Sequence, residues 1–137
     1  MSTSSLAAST RNFFLTLALL AGACESSANL IGPENQLEVN NTTDTFQWQV
    51  SALSGVTQTL TYTWVNNGTI ANVNQSSSPS SGSADLRILD AGGAQVYSRG
   101  LEGNGTFQTG AGTAGRWTVT VTLIKVNGTL NFRLQKP

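Results

Sequence analysis

The sequence predicts an all-β protein, an antiparallel β-sandwich of jelly-roll-like form preceded by a signal peptide. Short segments in which apolar and polar residues alternate recur along the chain from residue 29 onward. A period of two is that of a strand with one buried and one wet face. Turn-forming Gly, Asn and Asp separate these segments roughly every 8–12 residues, a spacing typical of sandwiches and jelly rolls. No segment keeps a helical period over two turns.

Residues 1–23 have the pattern of a signal peptide. They combine a polar start, one positive charge at Arg11 and an apolar run over residues 13–23. The run is too short to span a bilayer but fits a signal-peptide h-region. Formal net charge is zero for the whole chain, and without Arg11 the remainder has 6 basic and 7 acidic residues. A basic field that would hold nucleic acid is therefore absent from the sequence, and no nucleic-acid partner is expected.

The apolar run ends in Leu20-Ala21-Gly22-Ala23-Cys24, which resembles the bacterial lipobox. In that motif small residues precede a cysteine that becomes the lipidated first residue of the mature protein. Cys24 is the only cysteine, which excludes a disulfide within the chain. The alternative is an ordinary secretory signal with Cys24 near the cleavage site by chance. A free thiol in a secreted protein is a liability, which favours lipidation.

The lipobox resemblance implies a lipoprotein of the bacterial cell envelope, held to the membrane by several acyl chains. Residues 24–28 would be a lipidated tether and residues 29–137 the β-sandwich domain. The residue after the cysteine is Glu25 rather than Asp. In enteric bacteria this implies an outer-membrane anchor, with the domain facing the periplasm or the cell surface.

The first elements of the domain alternate clearly. Residues 37–39 predict a short edge strand, followed by a turn at 40–44 and a strand at 46–50. Ser54-Gly55 predicts a break, and residues 57–65 predict the next strand. In that strand Leu60, Tyr62 and Trp64 share one face.

The middle of the chain contains one predicted hairpin and one predicted loop. Asn67-Gly68 has turn chemistry, and a turn there would pair Trp64 with Ala71. Residues 75–83 contain mostly small polar residues and predict a mobile loop or a crossover between sheets. Residues 84–89 predict a strand with Ala84, Leu86 and Ile88 inward, ended by a turn at 90–93.

The last third predicts three further strand regions. Residues 95–98 form one with Val96 inward, and residues 106–108 another. Residues 115–136 predict a hairpin closed at Asn127-Gly128, because Asn-Gly is the strongest short hairpin signal. This turn would place Leu123 opposite Phe132.

The order of these landmarks resembles the bacterial pre-peptidase C-terminal domain family and its jelly-roll relatives. The resemblance is carried by DTFQWQV, by SGSADLRILDAGG, and by AGRWTVTV followed by GTLNFRLQ. It covers most of the chain after residue 29 and implies a β-sandwich of that general kind.

Catalysis has little support in the sequence. The chain has no histidine, and lipidation would remove its one thiol, so the usual general base and nucleophile are missing. The seven carboxylates are scattered through linkers and turns without a paired spacing. We therefore expect a protein that is not an enzyme and needs no cofactor.

Asp85 and Asp90, near a glycine turn, are weak candidates for a calcium site. The favoured interpretation is that Asp90 opens the turn by bonding to its own backbone.

The aromatic residues supply the more specific binding hypothesis. Trp48, Trp64 and Trp117 lie in register with aliphatic neighbours, which predicts core positions. Tyr97 is out of phase with Val96 and close to Arg99, so it is expected to face solvent. Tyr97 and Arg99 are therefore the candidate ligand-binding residues.

The sequence thus predicts an envelope lipoprotein whose β-sandwich is a non-catalytic binding or structural module, with a protein or a glycan as possible ligand. One alternative is a carbohydrate-binding module that uses exposed aromatic rings. Another is an accessory or inhibitor domain for an envelope enzyme.

Overall fold

The domain is built from seven antiparallel strands. The computed structural model describes residues 29–137, so the predicted signal peptide, the tether at 24–28 and lipidation at Cys24 lie outside the described residues. A 3-10 turn, Pro33–Asn35, precedes the strands. These are β1 Glu38–Thr42, β2 Thr45–Asn66, β3 Asn72–Gln75, β4 Ser78–Leu89, β5 Gln95–Gly100, β6 Gly105–Gln108 and β7 Gly115–Gln135. The predicted all-β antiparallel class is confirmed.

The last strand, β7, is the centre of the sheet. It pairs with β2 along nearly its whole length on one side. On its other side it pairs first with β4 and then, near its end, with β3. The outer strands β1, β6 and β5 pair with β2, β3 and β4 respectively.

Strand β2 doubles back on itself. Phe46 and Tyr62 are sixteen positions apart, which in a straight strand would correspond to about 50 Å. Their ring centroids are only 5.4 Å apart, and Trp48 Nε1 donates a hydrogen bond to Tyr62 Oη at 2.9 Å. The sheet therefore folds into two layers that face each other across one core, as in a sandwich.

The fold-over occurs at one end of the molecule, which we call the bend end: residues 51–57 of β2, 78–83 of β4 and 124–129 of β7. The strand registers shift there. Positive φ angles cluster there too, at Ala52, Gly55, Gly82, Lys125 and Gly128. Extra residues of this kind are β-bulges, which bend a strand and change which side chains face inward.

The bulge in β7 keeps its apolar side chains in the core through the bend. Trp117 to Leu123 are buried at odd positions, whereas Val126 to Leu134 are buried at even ones. The opposite end, which we call the open end, contains the turn at Thr43-Asp44. There Asp44 N donates to Val65 O at 2.9 Å, and Lys136 N donates to Asp44 O at 3.0 Å.

The core is a single cluster that includes all three tryptophans. Trp48, Trp64 and Trp117 have no exposed surface, which confirms the core positions predicted from the alternation. Trp64 and Trp117 are cross-strand partners with ring centroids 5.9 Å apart in an edge-to-face arrangement. Ala84, Leu86 and Ile88 are buried as predicted.

The predicted hairpin at Asn127-Gly128 is wrong, because β7 runs through this dipeptide without turning. Asn127 instead ties the bends together: its Oδ1 accepts from Gly55 N at 2.9 Å and its Nδ2 donates to Ser81 Oγ at 2.6 Å. Gly128 is required by close strand approach, since a Cβ there would lie 2.5 Å from Ser78 O. The Asn127-Gly128 dipeptide therefore marks a bend in one strand and not a turn between two strands.

Two other local predictions are also wrong. Strand β3 does not pair with β2 across Asn67-Gly68; it pairs with β6 and β7. The supposed loop at 75–83 is largely strand, because β4 begins at Ser78 and pairs there with β7. Small polar residues suit this stretch because its side chains are mostly exposed.

Candidate functional site

The predicted exposure of Tyr97 is wrong. Only 8 % of its surface is exposed. Tyr97 is the cross-strand partner of the buried Ile88, so both side chains lie on the core face. The register shifts between Ile88 and Leu89, close to the turn. This irregularity reverses the phase that Val96 suggested.

The Tyr97 hydroxyl belongs to a buried hydrogen-bond network. It donates to Gln75 Oε1 at 2.7 Å. Gln75 Nε2 in turn donates to Gly100 O at 2.9 Å and to Gly103 O at 2.7 Å. Burial raises the pKa of Tyr97, and nearby Arg99 opposes that shift. The network fixes the connection between β5 and β6 over the core.

Arg99 is exposed and lies beside this network, close enough to Tyr97 to oppose the rise in its pKa. Its guanidinium carbon is 3.8 Å from the ring centroid of Phe107. This cation–π contact links β5 to β6. Tyr97 and Arg99 are thus two residues apart on one strand, but Tyr97 is buried, whereas the exposed Arg99 lies over the partly buried ring of Phe107.

Asp90 has the turn-forming role that the sequence favoured. Its Oδ1 accepts from Gly92 N at 3.0 Å and Ala94 N at 2.8 Å, and its Oδ2 accepts from Thr113 N at 2.8 Å. The bond from Thr113, followed by that from Ala94, holds the pKa of Asp90 below its usual value. The carboxylate therefore closes the β4–β5 turn and fastens it to the chain before β7.

The second calcium candidate does not join the first. Asp85 is exposed in the middle of β4, paired in register with Gly100 and Thr122. Within residues 29–137, no group of three His, Cys, Asp or Glu side chains is placed to hold a metal ion.

The rings available for glycan stacking lie in the core or against it: Trp48, Tyr62, Trp64, Tyr97 and Trp117. The three indole N–H groups donate to Tyr62 Oη, Thr42 O and Thr113 O respectively. Tyr62 is half-buried and packs against the core. A stacking platform needs an exposed ring face, and these residues do not present one.

An exposed strand and the exposed large apolar side chains lie elsewhere, at one sheet edge and at the bend end. All five residues of β1 are exposed, and within residues 29–137 β1 pairs only with β2. Leu37 and Val39 are 36 % and 38 % exposed. The sequence predicted a short edge strand at 37–39, and the structure places the edge strand at Glu38–Thr42.

At the bend end, Leu30 and Ile124 are 59 % and 50 % exposed. A pocket of about 190 Å³ lies beside Leu30 and is also lined by Glu34 and Val56. No sequence pattern indicated this surface, because it depends on which strands meet at the bend.

The chain matches no protein-family model, and no curated protein is similar to it in sequence. The resemblance to the pre-peptidase C-terminal domain family stays a prediction. In the part of the chain that the structure describes, no helix is long and apolar enough to cross a bilayer.

Proposed function

We propose that this protein is a lipoprotein of the bacterial cell envelope, anchored through Cys24, whose β-sandwich is a non-catalytic module that binds a protein partner along its β1 edge. The anchor is supported by the lipobox-like sequence that ends at Cys24. The binding role is supported by the exposed edge of the sheet.

Strand β1 is the observation that carries the binding proposal. Among the residues that the structure describes, it bonds to β2 on one side only, and all of its residues are exposed. An edge of this kind presents backbone N–H and C=O groups to which an extended segment of another protein can add as a strand. Val39 supplies an apolar contact, and Glu38 is the only charged residue of β1. Charged side chains are a common protection of sheet edges, and β1 has just this one.

The glycan alternative has less support because the rings it would use are buried or pack against the core. An accessory or inhibitor domain for an envelope enzyme is a special case of the protein-binding proposal, with the enzyme as partner. The polar groups that the sequence suggested for ligand binding are engaged in the fold: Tyr97 bonds to Gln75, and Asp90 holds its turn.

The anchor is tested by the fate of the Cys24→Ser variant. The full-length wild-type chain, expressed in a bacterium, should float with membranes in a density gradient, and the variant should be recovered as soluble protein. A variant that floats like the wild type would refute the anchor.

The binding edge is tested by site-specific photocrosslinking in cells. A crosslinking amino acid at Asn40, in β1, should give a discrete protein adduct. The same group at Arg87 should not, since Arg87 lies in β4, which is flanked by β5 and β7. Val39→Lys should abolish the Asn40 adduct, whereas the β-branched control Val39→Thr should retain it. An adduct that survives Val39→Lys, or that forms only at Arg87, would contradict binding at β1.

A further inference from the structure

We propose that the bend end of the sandwich rests on the membrane surface and that Leu30 and Ile124 enter the lipid interface there. This inference rests on the proposed lipidation of Cys24, and it goes further by assigning the lipid-facing surface of the domain. The partner is a lipid bilayer, recognised through apolar contact.

The length of chain between the anchor and the domain limits where the domain can sit. Four residues separate Cys24 from Asn29. Even fully extended, these five steps span at most about 18 Å. The return segment of β2, residues 58–66, is itself about 26 Å long. The point at which the chain enters the sandwich must therefore stay close to the headgroups.

That entry point is fixed to the bend end. Asn29 O accepts a hydrogen bond from Thr57 N at 3.0 Å, and Asn29 Nδ2 donates to Ser54 O at 3.0 Å. Ile31 N donates to Gln58 Oε1 at 2.9 Å. Since these bonds hold the start of the domain against β2, the chain cannot reach the open end before the sandwich begins.

The apolar exposure of the domain is greatest at the same end. Among the large apolar side chains that the structure describes, Leu30 and Ile124 are the most exposed. Leu30 follows the anchored Asn29. Ile124 lies on the next strand, beside Lys125, whose N–H donates to Thr57 Oγ1 at 3.0 Å. Two exposed apolar residues therefore flank β2 where the tether arrives.

The charges at this end do not select for an anionic surface. Lys125 is exposed in the bend of β7, but Glu34 is exposed beside Leu30. One positive and one negative group leave little net attraction to acidic lipid. The contact should therefore depend on the two apolar side chains and change little with the anionic lipid fraction.

The orientation is tested with fluorescent reporters on the full-length lipidated protein, purified from membranes and reconstituted in phosphatidylcholine vesicles. Lipidation blocks the Cys24 sulfur, so an introduced cysteine can be labelled alone. Ser83→Cys places a reporter at the bend end, paired in register with Ile124. Thr43→Cys places one in the exposed turn of the open end.

A nitroxide on the lipid headgroup should quench the Ser83 reporter several-fold more strongly than the Thr43 reporter. Adding Leu30→Ser and Ile124→Ser should lower the quenching at Ser83 toward that at Thr43, while the protein still floats with the vesicles. Replacing a third of the lipid by phosphatidylglycerol should leave the difference unchanged.

The outcomes separate this inference from the anchor on which it rests. Equal quenching at the two positions, or stronger quenching at Thr43, overturns the orientation even if flotation requires Cys24. Quenching at Ser83 that is unchanged in the double variant overturns the role of Leu30 and Ile124. Flotation of the Cys24→Ser variant instead overturns the anchor itself.

Discussion

Gly82 offers a direct measure of how closely the strands approach one another at the bend. It lies in β4 with a φ of 84°, and a Cβ at this position would lie 2.2 Å from the carbonyl oxygen of Lys125 in β7. The oxygen belongs to the backbone and the position of a Cβ is set by its own backbone, so a side-chain rotation cannot relieve the clash. We expect Gly82→Ala to force β4 and β7 apart at this point.

The loss of unfolding free energy expected for Gly82→Ala is the sum of two contributions. A left-handed backbone costs an L-residue about 1–2 kcal/mol. Displacing Lys125 also threatens the neighbouring ladder pairs Ser81–Asn127 and Ser83–Ile124. Each backbone hydrogen bond lost there costs about 0.5–1.5 kcal/mol. With one hydrogen bond lost from each pair, Gly82→Ala should therefore lower the free energy of unfolding by about 2–5 kcal/mol.

Gly93 supplies the matched control. Its φ of 89° is nearly the same, but a Cβ there would meet nothing within 4 Å. Gly93→Ala should cost only the conformational part, about 1–2 kcal/mol. Urea unfolding, followed by the fluorescence of the buried tryptophans in a Cys24→Ser background, measures both variants. If the two alanine variants lose the same stability, β4 and β7 are not in the close contact described.

Two further variants test the polar groups that hold the fold. Tyr97→Phe should lower the free energy of unfolding by about 1–2 kcal/mol, because it leaves the buried Gln75 Oε1 without its donor; a variant as stable as wild type in urea would contradict the network. The pKa of Asp90 is lower in the folded chain than in the unfolded chain. The ionised carboxylate therefore stabilises the fold at pH values above the pKa of the unfolded chain, and this stabilisation is lost as the pH falls through the pKa of the folded chain. Acidification from neutral pH to about pH 3 should therefore destabilise the wild type more than Asp90→Asn, and parallel pH profiles of the two proteins would count against this role.

Sequence reasoning succeeded where the strands are regular. Trp64 and Trp117 lie in stretches whose side chains alternate without interruption, and each was placed in the core from that pattern. The same holds for Leu86 and Ile88 in β4. In such stretches a period of two has only one interpretation, because each residue faces the side opposite to its neighbour.

Sequence reasoning failed where bulges interrupt the period. The inserted residue near Lys125 shifts β7 from odd to even buried positions, so one strand has the sequence pattern of two strands and a turn. The irregularity beside Leu89 likewise turned Tyr97 inward. A bulge depends on which partner strands lie alongside, and that information is spread over residues distant in sequence. The surface at Leu30 and Ile124 was missed for the same reason.

The central position of β7 has a consequence for folding during synthesis. Strands β2, β3 and β4 all pair with β7, yet residues 115–135 follow all three of them in the sequence. A ribosome therefore completes Thr45–Asn66 well before it begins β7. Until β7 is available, β2, β3 and β4 expose the edges that pair with it, and a chain in this state is prone to aggregation. We therefore expect the unfinished chain to require a holding chaperone until β7 has emerged and its ladders with β2, β3 and β4 close together.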